Sequence, residues 1–217
     1  MSEENILALS PASRSSYSYY RDRAAGFAQI KPEIEAVYSM APNIIVRQWG
    51  GGLEATEYLS KIGLKVVQIG YGESFKEAGE NLVKFGKEID REDRANRLIQ
   101  DMEARLARVK EKHRDKADRP KALYITPGGV SAGLGTFVDE IMRRAGVTNI
   151  MAEAGVHGWA PIDLEALAMT APDLLIAGFF DLGREQPSHW SIARHSFLRD
   201  QLKIIRTVYL PGRQLAC

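Results

Sequence analysis

Gly26-Phe27-Ala28-Gln29-Ile30, followed by Glu35-Ala36-Val37 and Ala41-Pro42-Asn43-Ile44-Ile45-Val46, returns later as Gly158-Trp159-Ala160-Pro161-Ile162, Glu165-Ala166-Leu167 and Ala171-Pro172-Asp173-Leu174-Leu175-Ile176. From the repeated glutamate onward the copies align without a gap, and upstream of it they differ by a short insertion. Each copy reads as a loop, a short helix and a buried strand. A phrase repeated on either side of the middle implies two lobes of one plan, and equivalent loops on two lobes imply a cleft in which a ligand sits.

Outward from the first copy, Ile6 to Ser10 is a short apolar run stopped at Pro11, read as a buried strand. Ile34 to Met40 reads as a helix and Asn43 to Val46 as a strand ended by Gly50-Gly51-Gly52. Glu54 to Ile62 is predicted to be a helix capped by Gly63, and Lys65 to Ile69 a further strand. Alternation of helix and strand predicts an α/β fold, its sheets mainly parallel and flanked by helices.

The longest helical signal runs from about Arg91 to Lys116, where Ala95, Leu98, Ile99, Met102, Leu106 and Val109 recur at three- and four-residue spacings among charges. Such a helix is an ordinary surface helix, a coiled-coil arm or, given the repeat on either side of it, a rigid spacer between lobes. Ala122 to Ile125 then begins the second lobe as a strand. The expected organisation is an N-terminal lobe over 1–90, an interlobe helix over 91–117 and a C-terminal lobe over 118–217.

Composition sets limits on function. With 29 basic against 28 acidic residues the chain lacks the charge that seeks nucleic acid. No stretch approaches the roughly 20 apolar residues of a membrane span. The N-terminus, Met1-Ser2-Glu3-Glu4-Asn5, is acidic and polar, unlike a secretory leader. The one cysteine, Cys217, excludes an internal disulfide and a thiolate metal cluster.

In this order of elements the chain resembles the periplasmic substrate-binding proteins of ABC importers for iron-siderophores, haem and vitamin B12, whose two lobes are joined by one long helix. The resemblance is carried by the paired Glu-Ala-(Val/Leu)-x-x-x-Ala-Pro-(Asn/Asp) phrases and their apolar strands. It extends through Ile62-Gly63-Leu64, Ser74 to Gly86, Gly135-Thr136-Phe137-Val138-Asp139-Glu140 and Ala145-Gly146-Val147-Thr148-Asn149-Ile150. It implies a periplasmic monomer that captures a ferric siderophore, haem or a corrinoid, hands it to a membrane permease, and holds no cofactor of its own. Family members usually open with a strand and helix before Ile6 and continue past Cys217 into a closing helix, so truncation at both ends is expected.

The resemblance also assigns residues. A glutamate at the repeated position of each lobe pairs with permease arginines in the family, which makes Glu35 and Glu165 the docking residues; each is equally a solvated first-turn acid favoured by the helix dipole. Trp49 and Trp159 match places where the family sets tryptophans against a corrinoid, and Tyr17, Tyr19 and Tyr20 match a loop that faces its cleft. Aromatic plates bury a large area with little loss of rotamer freedom, and a tryptophan beside glycine serves equally as a core plug. Arg14, Arg47 and Arg184, in similar loops, suit an anionic chelate because a guanidinium fork holds two oxygens at once; solvated arginines would look the same.

The glycine-rich run Thr126 to Thr136 offers bare backbone to a ligand. It is not a nucleotide loop, because Leu134 stands where a P-loop has lysine and Gly133-Leu134-Gly135 lacks a third glycine. Histidines 113, 157, 189 and 195 have no ligand spacing, which leaves a free zinc or manganese binder as an alternative only if distant loops converge. An α/β enzyme is the other alternative, with Ser131 or His157 as its available groups.

Overall fold

A computed structural model describes residues 3–48, 53–113, 118–163, 165, 167, 172–182 and 196–215. The chain divides into two compact units, Met1–Met102 and Glu103–Cys217.

In the first unit, Ser10 caps a single 3-10 turn over Pro11–Arg14, and α1 (Arg21–Ala24) follows. The strand expected over Ile6 to Ser10 does not form. Only Leu9 bridges, in parallel, to Gln29, because Pro11 lacks an N–H and Ser10 turns its hydroxyl to the Ala12 N–H. Helix α2 (Ile34–Ser39) ends at Ala41-Pro42, and β1 (Ile44–Gln48) pairs in parallel with β2 (Lys65–Ile69) across α3 (Leu53–Lys61). Gly63, left-handed at φ +88°, closes α3 as expected; its N–H donates to Ser60 O, and Leu64 N–H to Leu59 O.

Helix α4 (Phe75–Glu88) opens with Ser74 accepting from the Glu77 N–H at 3.1 Å while the Glu77 carboxylate takes the Glu73 N–H at 2.7 Å. After Asp90, α5 (Glu92–Lys112) runs for 21 residues, about 32 Å. Gly86 lets α4 and α5 cross closely, since a Cβ there would stand 2.8 Å from that of Ala95. The division between units falls inside α5, after Met102.

The second unit is built on a four-stranded parallel sheet, ordered β5 (Thr148–Asn149), β3 (Lys121–Ile125), β7 (Leu174–Gly178) and β8 (Thr207–Leu210). Strand β3 is buried from Ala122 to Ile125, as a central parallel strand must be, and its alternate residues serve two cores. Leu123, Ile125, Leu175 and Ala177 pack with Ile162 and Leu167 on one face; Ala122, Tyr124, Ala132 and Met142 pack on the other. Helices α6 (Phe137–Arg144), α7 (Ile150–Glu153), α8 (Ser196–Ile204) and α9 (Gly212–Leu215) complete the unit. Outside the main sheet, β4 (Val130–Ala132) and β6 (Trp159–Pro161) form an antiparallel ribbon.

From the repeated glutamate onward, the described residues of the two copies make matching bonds. Val37 N–H donates to Glu33 O and Leu167 N–H to Asp163 O, each at 3.0 Å, and each repeated strand, β1 or β7, then pairs in parallel with the strand after the next helix. Parallel sheets flanked by helices are therefore the architecture of this α/β chain, as the alternation of elements predicts.

Candidate functional site

In the first unit the repeated phrase closes a loop. Leu9 N–H donates to Ala28 O at 2.9 Å and Ile30 N–H to Leu9 O at 3.0 Å, so everything between is held at its neck. The Gln29 amide fixes the interior: its Nε2 donates to Ala24 O and Phe27 O, and its Oε1 accepts from the Ser13 hydroxyl. What the loop displays is aromatic and cationic. Arg14 is exposed; Tyr17 and Tyr20 are 51% and 62% exposed. Tyr19 meets Tyr20 edge-on at 5.0 Å, and the Arg23 guanidinium lies 5.8 Å from the Tyr20 ring centre.

Arg47 is more constrained. It is half-buried on β1 and donates to the Thr56 hydroxyl on α3, so the strand and the following helix fix its direction. Trp49, two residues on, and Arg184 lie outside the described residues.

In the second unit the equivalent phrase forms β6. Trp159 stands opposite Ala132 in the ribbon, 51% exposed, with its ring edge-on to Tyr124 at 6.0 Å. The backbone of the glycine-rich run is largely committed to this ribbon: Gly133 N–H donates to Gly158 O and Leu134 N–H to Val156 O, both at 2.8 Å. Thr126 makes the preceding turn, its hydroxyl donating to Val130 O and accepting the Val130 N–H. Bare backbone for a ligand is thus narrowed to the exposed Gly128 and Gly135.

A buried polar relay supports the ribbon, and sequence reading missed it. Asn149 Nδ2 donates to Ala132 O at 2.9 Å and to Asp139 Oδ1 at 3.0 Å, while the other Asp139 oxygen takes Arg143 Nε at 2.9 Å. Thr136 caps α6 and also donates to Gly133 O at 2.8 Å. The spacing Asp139 to Arg143 is a legible helical pair. The contact from Asn149 to Ala132 is not local and leaves no trace in the sequence.

Two hydroxyls beside the ribbon, Tyr124 Oη and Ser131 Oγ, are buried with no hydrogen-bond partner among the described residues. Ser131 is therefore not paired with the exposed His157. Burial pushes the Tyr124 phenol from 10.0 up to about 12. Below pH 10 the phenol is neutral folded or unfolded. Between about pH 10 and 12 the unfolded chain releases the proton and the folded one retains it, so stability falls as pH rises through this window. Tyr124→Phe is expected to remove that alkaline loss, and to stabilise the protein at pH 7 by about 1 kcal/mol because an unpaired hydroxyl leaves the core. Urea unfolding at pH 7, 10 and 11 reads both effects; a variant with the parent's alkaline loss would show that Tyr124 does not cause it.

Glu35 and Glu165 are both exposed and occupy the same place in the first turn of their helices. Glu165 N–H is held by Asp163 Oδ1 at 2.9 Å. Of the histidines, His113 is half-buried just past α5 and fills space against Gly146, where a Cβ would come within 2.8 Å of it; His189 and His195 lie outside the described residues. Among the described residues no three His, Cys, Asp or Glu side chains converge on one point, and no helix is long and apolar enough to cross a membrane.

The family model for periplasmic binding proteins matches residues 3–179. Among solved structures, a periplasmic haem-binding protein of Vibrio cholerae superposes with a TM-score of 0.77 at 14% identity, over 98% of this chain and 84% of that one. A possible iron-binding periplasmic solute-binding protein from Staphylococcus epidermidis gives 0.74 at 18% identity, over 97% and 83%. A periplasmic haem-binding protein from Pseudomonas aeruginosa gives 0.70 at 21% identity, over 98% and 78%. At these identities the likeness is one of fold. No curated protein matches the chain by sequence.

Proposed function

The chain belongs to the periplasmic binding protein family, and from that membership we propose that it is the substrate-capturing component of an ABC importer, working in the periplasm as a monomer. Its ligand is a metal chelate, a ferric siderophore, haem or a corrinoid, which it delivers to a membrane permease without transforming it. The observation that carries this reading is the match of the family model over residues 3–179. The haem- and iron-binding descriptions of proteins sharing the fold support the choice of chelate.

Residue roles follow from display. Tyr17, Tyr20 and Trp159 offer exposed aromatic area for a flat ligand, and Arg14 and Arg47 offer charge for its carboxylate or catecholate oxygens. Trp49 and Arg184 are proposed for the same two tasks. Glu35 and Glu165 dock the permease: exposed carboxylates in matching first turns are suited to reading out paired cationic sites.

Titrating haem, a ferric tris-catecholate and cobalamin into the purified chain, followed by absorbance and tryptophan quenching, tests the assignment. Saturable binding of one of them is the expected result, and binding of none would sink it. Glu35→Ala combined with Glu165→Ala is expected to impair docking to the reconstituted importer while leaving chelate affinity within about twofold. Exposed charge attraction is screened by salt, so raising ionic strength should weaken docking of the parent more than of the double variant. Undiminished docking by the double variant would remove the glutamates from that role.

A further inference from the structure

Resting on the reading of Trp159 as a ligand contact, we propose that Asn149 is the residue that positions it. The ribbon carrying Trp159 is only three residues long on each strand and lies outside the main sheet. Ala132 is the residue in register with Trp159. The carbonyl of that same Ala132 is the one that Asn149 Nδ2 holds at 2.9 Å.

Asn149 is 2% exposed, and its side-chain atoms are engaged on two sides. Nδ2 also donates to Asp139 Oδ1, and Oδ1 accepts the Met151 N–H at 3.1 Å, capping α7. The amide thus ties the ribbon to β5, α6 and α7 at one point. Asp139, itself 1% exposed, orients the amide and is held by Arg143. The side chain at 149 must donate toward Ala132 and Asp139 and accept from Met151, which an amide does and a carboxylate does not.

N149D isolates the donating side. It keeps the acceptor for Met151 but sets a carboxylate against Ala132 O and Asp139 Oδ1, so at neutral pH the ribbon loses its tie. A carboxyl group carries at most one O–H where the amide has two N–H, so a proton shared with Asp139 does not restore the donation to Ala132 O. The other charged groups on the elements around β5 are Arg143 of α6, already on Asp139, Glu140 and Arg144 of α6, paired with each other at 2.7 Å, and Lys121 of β3, paired with Glu153 of α7 at 2.9 Å.

The test uses the chain carrying Trp49→Phe and Trp190→Phe, so that Trp159 is the one indole, and measures its emission maximum and acrylamide quenching without ligand. Haem affinity is measured separately with both tryptophans restored. N149D is expected to change the Trp159 signal at pH 7 and to weaken haem binding about tenfold. N149S retains a cap for Met151 but cannot reach Ala132; it is expected to shift Trp159 likewise, and so reads the proposal if N149D does not fold. An unchanged Trp159 signal in either folded variant overturns the positioning role. A shifted signal with unchanged haem affinity upholds positioning and instead removes Trp159 from the ligand contacts.

Discussion

Gly133→Ala should unfasten the ribbon and lower the stability of the protein by about 3 kcal/mol, the upper end of the usual cost of overpacking. A Cβ on Gly133 would fall well inside contact distance of the Val156 carbonyl oxygen, and its next contacts are the Val156 carbonyl carbon at 2.8 Å and Cβ at 3.3 Å. The obstacle is backbone, already bonded to the Leu134 N–H, so no rotamer change relieves it. Gly63→Ala makes the contrast: its Cβ would meet nothing within 4 Å, and only the left-handed φ of +88° resists it, at about 1 kcal/mol. Urea unfolding of the two variants compares space with backbone strain. Equal losses would show that the ribbon yields without resistance and that its geometry is not enforced at Gly133.

Trp159→Ala is expected to weaken chelate binding by about 1 to 3 kcal/mol, the scale of a buried aromatic anchor, while changing the stability of the ligand-free chain much less. The ring is half exposed before any ligand arrives, and among the described residues its aromatic contact is the edge against Tyr124. Trp159→Phe keeps an apolar plate of smaller area and should fall between parent and alanine. Isothermal titration with whichever chelate binds the parent, beside thermal unfolding of the free proteins, separates the two effects. Unchanged affinity in the alanine variant, with a large stability loss, would make Trp159 a structural plug.

Much of the architecture was legible because parallel strands buried on both faces are written as continuous apolar runs. Leu123, Ile125, Leu175 and Ala177 sit in the core where such runs belong, and Gly63 ends its helix where a left-handed residue is needed. The repeat gave the equivalence of α2–β1 with the second copy, since the same first-turn bonds recur at Val37 and Leu167. Ile6 to Ser10 misled for a physical reason: an apolar run forms a strand only where a partner strand offers a ladder, and Gln29 gives Leu9 a single bridge. The β4–β6 ribbon escaped notice because three-residue strands carry no alternation to read.

For the site, position in the sequence indicated which residues to consider and not what holds them. Arg47 is braced by Thr56 nine residues away, and Trp159 rests on Tyr124 and, through Ala132, on Asn149. These are contacts between segments that only the folded chain brings together. Single buried hydrogen bonds of this kind depend on distances that composition and periodicity do not encode.

The neck formed by Leu9, Ala28 and Ile30 makes the exposed face of residues 10–28 exchangeable. Its ends are fixed by two backbone hydrogen bonds, which any sequence can make, while the Tyr and Arg side chains lie on the stretch between. Lengthening a closed loop is inexpensive, about 0.6 kcal/mol for each doubling. Exchange of the exposed side chains Arg14, Tyr17, Tyr19 and Tyr20 leaves the neck bonds in place, whereas Ala24, 3% exposed, is fixed by packing. A displayed surface of this kind can change its chemistry while the frame that presents it stays folded, much as variable loops do on an antibody.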